Sequence, residues 1–210
     1  MCTDARIAKD EVLELLGHLL DKSLVVTQAE FGEVERYRLP ETVRQYAADR
    51  LTDSGEVDVI RDRHTDCYLA FGEKVAPYLR GGPQFMPSLQ LVDSAQDNFR
   101  TALQWCIERA DVDRGLALAG AVWRFWYLRS SSSEGREWLD ALLQLRSGPC
   151  KPANKASALN GAGVLAVRRG DLSTAQELYQ ESLAIWQRLD DQTRIGISLN
   201  QSGDASSAPW

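Results

Sequence analysis

The chain has 210 residues, 44% apolar and 26% charged, and a net charge of -6. That length and composition support one or more packed cores, and the acid excess argues against a protein held to nucleic acid by phosphate attraction. No run approaches the ~20 apolar residues of a membrane helix.

The N-terminal MCTDARIAKDEV lacks a basic-then-apolar leader pattern, so the expected compartment is the cytoplasm. Cys2, Cys67, Cys106 and Cys150 show no CxxC spacing and are expected as free thiols there. Residues 1–53 carry seven Lys/Arg against eleven Asp/Glu, residues 54–110 six against eight, and residues 111–210 eleven of each. No segment offers a phosphate-neutralising surface.

Residues 9–22 predict an amphipathic helix with Val12, Leu13, Leu15, Leu16, Leu19 and Leu20 on one broad stripe. The period then changes. Residues 23–27 are β-branched and apolar, Gly32 marks a turn, and residues 36–39 alternate, which predicts one β-hairpin. Pro40 suits the first turn of a helix over residues 41–52, expected to bury Val43, Tyr46, Ala47 and Leu51. Helix, hairpin and helix in this order match the latter part of a winged helix. Ser54-Gly55 is the boundary.

A near-heptad rhythm from Val57 to Leu79 predicts one long helix, stopped by Gly81-Gly82-Pro83. A short helix over 85–92 and a firm one over 93–110 follow. Asp111 or Asp113 is expected to cap the next helix, residues 114–129, with Ser131 and Glu134 as a capping box for residues 134–145. Gly148 to Pro152 is a linker.

Residues 158–189 predict two helices packed back to back, with small residues in the first and Gly170-Asp171 between them. Leu159-Asn160-Gly161-Ala162-Gly163 reappears as Leu199-Asn200-Gln201-Ser202-Gly203, forty residues on. Upstream, Ser130 stands where Gly170 does, Gly135 for Ala175, Leu139 for Tyr179 and Leu143 for Leu183. A fixed period of this size predicts a solenoid of helix pairs.

DEVLELLGHLLDKSLVV followed by RYRLPETVRQYAADRL resembles the winged-helix segment of bacterial STAND-type signal-transduction ATPases, the regulators with LuxR-like or SARP-like domains and tetratricopeptide repeats. DNFRTALQWCIERAD, WRFWYLR, SEGREWLDALL and LNGAGVLAVRRGDLSTAQELYQESL are similar to the same proteins, so the resemblance spans roughly residues 9–203. It implies a mainly α chain: a partial winged helix (1–53), a linking helical region (54–110) and tetratricopeptide-like repeats (111–210). The family binds ATP through a P-loop domain. GxxxxGK[ST] occurs nowhere in these residues, so that domain is expected to be a missing partner, no cofactor is expected, and no hydrolysis is assigned. The chain is expected to begin part-way through the winged helix and to stop within a repeat, as a fragment or the product of a degraded gene.

No catalytic constellation is legible. His64 and Cys67 lie three residues apart on one helix, but zinc wants three or four ligands, so core packing is the expected role. His18 is expected as a partly buried or surface residue. Trp123, Trp126 and Tyr127 are expected to pack between helices, with any face left exposed available to a partner. On the repeat surface, Asn160, Asn200, Arg168 and Trp126 are the candidate contacts for a protein or peptide partner. In tetratricopeptide proteins, inner-helix asparagines hold a bound peptide's backbone; bonding between helices is the competing role. The expected function is a non-catalytic interaction and signal-coupling module. The alternative is a DNA-binding winged-helix regulator contacting DNA through Arg36, Arg38 and Arg44. Ile195, Ile197 and Leu199 are expected to form an uncapped apolar face that invites self-association.

Overall fold

A computed structural model describes residues 11–28, 36–145 and 148–207. The chain is mainly α, with two compact units divided between Arg63 and His64.

In the first unit, α1 (Glu11–Asp21) leads to β1 (Val26–Gln28) and β2 (Arg36–Arg38), then α2 (Glu41–Ser54). The strands pair antiparallel, Thr27 opposite Tyr37, as the change of period predicts. The connection of the hairpin lies outside the described residues. Pro40 precedes α2, and Gly55 ends it at φ 71°, a left-handed position that costs glycine little. Val25 is the one buried apolar side chain among this unit's described residues. The expected burial of α2 fails: Tyr46 is 65% exposed, Ala47 is exposed, and Val43 and Leu51 are half-buried. Two helices and strands of three residues present apolar stripes without enough opposing surface to cover them.

The second unit begins in α3 (Val57–Val75), which is shorter than its heptad rhythm suggests. A 3-10 turn (Tyr78–Arg80) takes over before the glycines. The expected continuous helix over residues 93–110 is likewise trimmed. α4 (Phe85–Asp93) and α5 (Gln96–Glu108) are separate, with Ser94 Oγ donating to Leu91 O at the break.

From here the repeat is written in the backbone. α6 (Val112–Leu128), α7 (Ser132–Gln144), α8 (Pro152–Arg168), α9 (Leu172–Leu189) and α10 (Gln192–Ser207) follow one another through short connections. Ala110, Ser130, Gly170 and Asp190 all take positive φ, at 52°, 58°, 79° and 53°. At each, the next residue's N–H reaches back to a helical carbonyl: Asp111 to Cys106, Ser131 to Trp126, Asp171 to Ala166, and Asp191 to Trp186. This is the Schellman closure, in steps of twenty or forty residues. Ser130 thus does occupy the place of Gly170. Asp111, Asp171 and Asp191 each accept a hydrogen bond from the N–H three residues on, at 3.2, 3.2 and 3.0 Å. Asp113, the other cap candidate, instead accepts from Lys151 N and Asn154 Nδ2 at 2.8 Å. Ser131 makes no side-chain cap bond, and neither half of the expected capping box forms: the Glu134 carboxylate accepts from Arg100 on α5 at 2.6 Å, and Ser131 N–H donates to Trp126 O.

The core runs through this unit, with Leu103, Leu116, Leu118, Phe125, Leu139, Leu142 and Leu165 at 2% exposure or less. Each contributes about 1.5–3 kcal/mol. Close approach of α8 to its neighbours requires glycine. A Cβ at Gly161 would sit 2.7 Å from the Trp123 ring, and one at Gly163 would sit 2.5 Å from the Tyr179 ring. Ser182 Oγ donates to Ala156 O across the α8–α9 contact at 2.8 Å. Of the expected uncapped face, Leu199 is 53% exposed, but Ile195 is half-buried against the cluster of Ile185 and Trp186.

Candidate functional site

The inner helices α6, α8 and α10 line a cavity of about 450 Å³ together with the end of α3 and the 3-10 turn. The lining positions repeat in register. Ala117, Ser157 and Ile197 are spaced forty apart on successive inner helices, as are Gly120 and Asn160, and Asn154 and Arg194. Within each helix these residues recur at three- and four-residue steps, so each helix turns one face to the cavity. Small side chains on α6 (Ala117, Gly120, Ala121) leave the room. A second depression of about 330 Å³ adjoins it, sharing Arg80 and Arg124 and adding Phe85, Tyr127 and Leu128.

The chemistry of the cavity is polar and positive. Arg80, Arg124 and Arg194 line it against a single carboxylate, Glu73. Arg124 is half-buried, its guanidinium 4.4 Å from the Trp123 ring centroid. Burial lowers its proton affinity from the usual arginine value, and the nearby charges of Arg80 and Arg194 lower it further. Arg194 lies 5.4 Å over Trp186.

Asn160 lines the cavity, and its Oδ1 is enclosed without a hydrogen-bond partner among the described residues. The competing role, bonding between helices through that oxygen, is not realised. Asn200, its equivalent on α10, is exposed and does not line the cavity. Arg168 is exposed and sits 4.9 Å over Tyr127, beside the second depression. Trp126 is corrected: it is 5% exposed and packs on Gly135, where a Cβ would fall 2.6 Å from its ring, so it is core and not an open contact. Trp123 is also buried, as expected, while Tyr127 is half-buried.

Sequence reading missed Arg80, Arg124 and Arg194. They come from three elements far apart in the chain, and no local spacing joins them. The forty-residue register that carries Asn154 onto Arg194 was the available signal.

The other candidates have ordinary surroundings. His64 Nε2 lies 3.2 Å from Asn98 Oδ1 and its ring lies 4.6 Å from Tyr68, while Cys67 is exposed. No group of three or more His, Cys, Asp or Glu side chains suited to a metal occurs among the described residues. His18 is exposed on α1. Arg38 is exposed, and Arg44 is bound by Glu41 through two hydrogen bonds of 2.9 and 2.6 Å. That pairing holds the Glu41 carboxyl below its usual range. The side chain of Arg36 lies outside the described residues.

No protein-family model matches the chain. It is 38% identical over 136 residues, 63% of its length, to proteins named HTH-type transcriptional regulators in Mycobacterium tuberculosis and Mycobacterium bovis. The chain is similar to transcriptional regulators. It spans about 15% of the length of these relatives. Among the described residues no helix is long and apolar enough to cross a membrane.

Proposed function

We propose that this chain is a non-catalytic interaction and signal-coupling part of a transcriptional regulator. The inner face of its helical repeats receives a partner protein, peptide or inducer. The observation that carries this reading is the cavity of about 450 Å³ built from equivalent positions of α6, α8 and α10. A stack of helix pairs offers such a surface, and small rotations between pairs pass an occupant's effect along the stack. Similarity to transcriptional regulators supports the regulatory setting. The STAND-like architecture, with tetratricopeptide repeats, a winged helix as relay and an ATPase domain as intramolecular partner, is part of the same proposal.

Ser157→Tyr tests it by filling the cavity from α8. The variant is expected to unfold at nearly the wild-type temperature and to alter the same transcripts in the host cell as deletion of the gene. A folded variant with a wild-type transcript profile would contradict the reading.

A further inference from the structure

Two groups of arginines stand out in the second unit. One group is paired. Arg100 holds Glu134 and Asp97, Arg114 holds Asp111 and Asp66, Arg129 holds Asp93, and Arg136 holds Asp140, all at 2.6–3.0 Å. In the other group, Arg80, Arg124 and Arg194 line the cavity, and Arg168 lies over Tyr127, which lines the neighbouring depression. Arg80, Arg124, Arg168 and Arg194 have no carboxylate partner among the described residues, and three of them lie over aromatic rings instead. Gathering like charges in a half-buried site is unfavourable until an anion enters.

We infer that the groove takes an acidic peptide segment, its carboxylates bound by Arg80, Arg124 and Arg194. This rests on the proposed role of the cavity face as the binding face. Guanidinium forks match carboxylates bidentately. A peptide fits better than a phosphate polymer because the unpartnered Asn160 Oδ1 calls for an N–H donor, which a peptide backbone supplies and a phosphodiester does not. The second depression, continuous with the first through Arg80 and Arg124, gives an extended segment somewhere to run.

Fluorescence anisotropy on the full chain decides it, using a labelled peptide of about eight residues alternating Glu and Ala. Its Gln-for-Glu counterpart and tripolyphosphate serve as the comparison probes. The Glu peptide is expected to bind, and to lose about tenfold in affinity on Arg124→Gln or on the more exposed Arg80→Gln. It should also weaken as salt rises from about 50 to 200 mM. Arg129→Gln, outside the groove, should leave it unchanged. The inference is overturned if the Glu peptide fails to bind, if it binds independently of both arginines, or if tripolyphosphate alone binds. Equal binding of the Gln peptide, abolished by Ser157→Tyr, would overturn the acidic preference while leaving the cavity face as the binding face.

Discussion

The two units carry similar amphipathic patterns and treat them differently. In the second unit, Leu139, Leu142 and Leu165 are wholly buried. In the first, Leu13 is 73% and Leu15 46% exposed on a helix whose apolar stripe is just as clear. A stripe announces that a face wants covering. Whether anything in the same chain covers it depends on how many elements the chain brings to that place, and helix pairs in series bring a partner for every stripe.

The contrast breaks most sharply on large-to-small changes. Leu165→Ala is expected to cost about 2–5 kcal/mol, read as a lowered midpoint in denaturant unfolding. Next is Gly163→Ala, where the added Cβ meets Tyr179, at about 1–3 kcal/mol by the same measurement. In the first unit, Leu13→Ser should stay within about 0.5 kcal/mol while reducing the binding of a hydrophobic dye. A large loss there would mean that α1 is covered after all.

The smallest effect is electrostatic. Arg100 holds the Glu134 carboxyl below its usual range, chiefly through their hydrogen bond. A depressed folded-state value stabilises the fold above the unfolded value of about 4.3 and is lost as pH falls through the folded one. Because the Arg100 side chain is 44% exposed, the pair is worth about 0.2–1 kcal/mol. The wild-type advantage over Glu134→Gln should therefore appear at neutral pH and shrink as pH drops below about 4, measured by thermal unfolding across pH.

Local rules read well wherever the chain is regular. Asp171 and Gly170 announce a cap and a left-handed turn, and the forty-residue echo of Leu159 to Gly163 placed the inner helices in register. What escaped was decided by distant partners. In the sequence Trp126 reads both as packing between helices and as a partner contact; the packing holds, and what the sequence does not show is that Gly135, nine positions on across a turn, closes its face. Ser131 and Glu134 have capping-box spacing, but Arg100, thirty-four residues from Glu134, took the carboxylate. The arginines of the groove are likewise single residues on separate elements, and tertiary packing alone brings them to one cavity.

The DNA-contact alternative meets its own test in the double variant Arg36→Glu with Arg38→Glu, for which unchanged duplex affinity is expected in a salt titration. The central claim, that partners meet the inner face of the repeats, is tested most directly by photo-crosslinking in the host cell. A photoreactive residue at Ser157 is expected to yield a defined adduct, whereas one at Gln180, exposed on α9 and away from the cavity lining, is expected to yield none. Adducts from Gln180 with none from Ser157 would contradict the account.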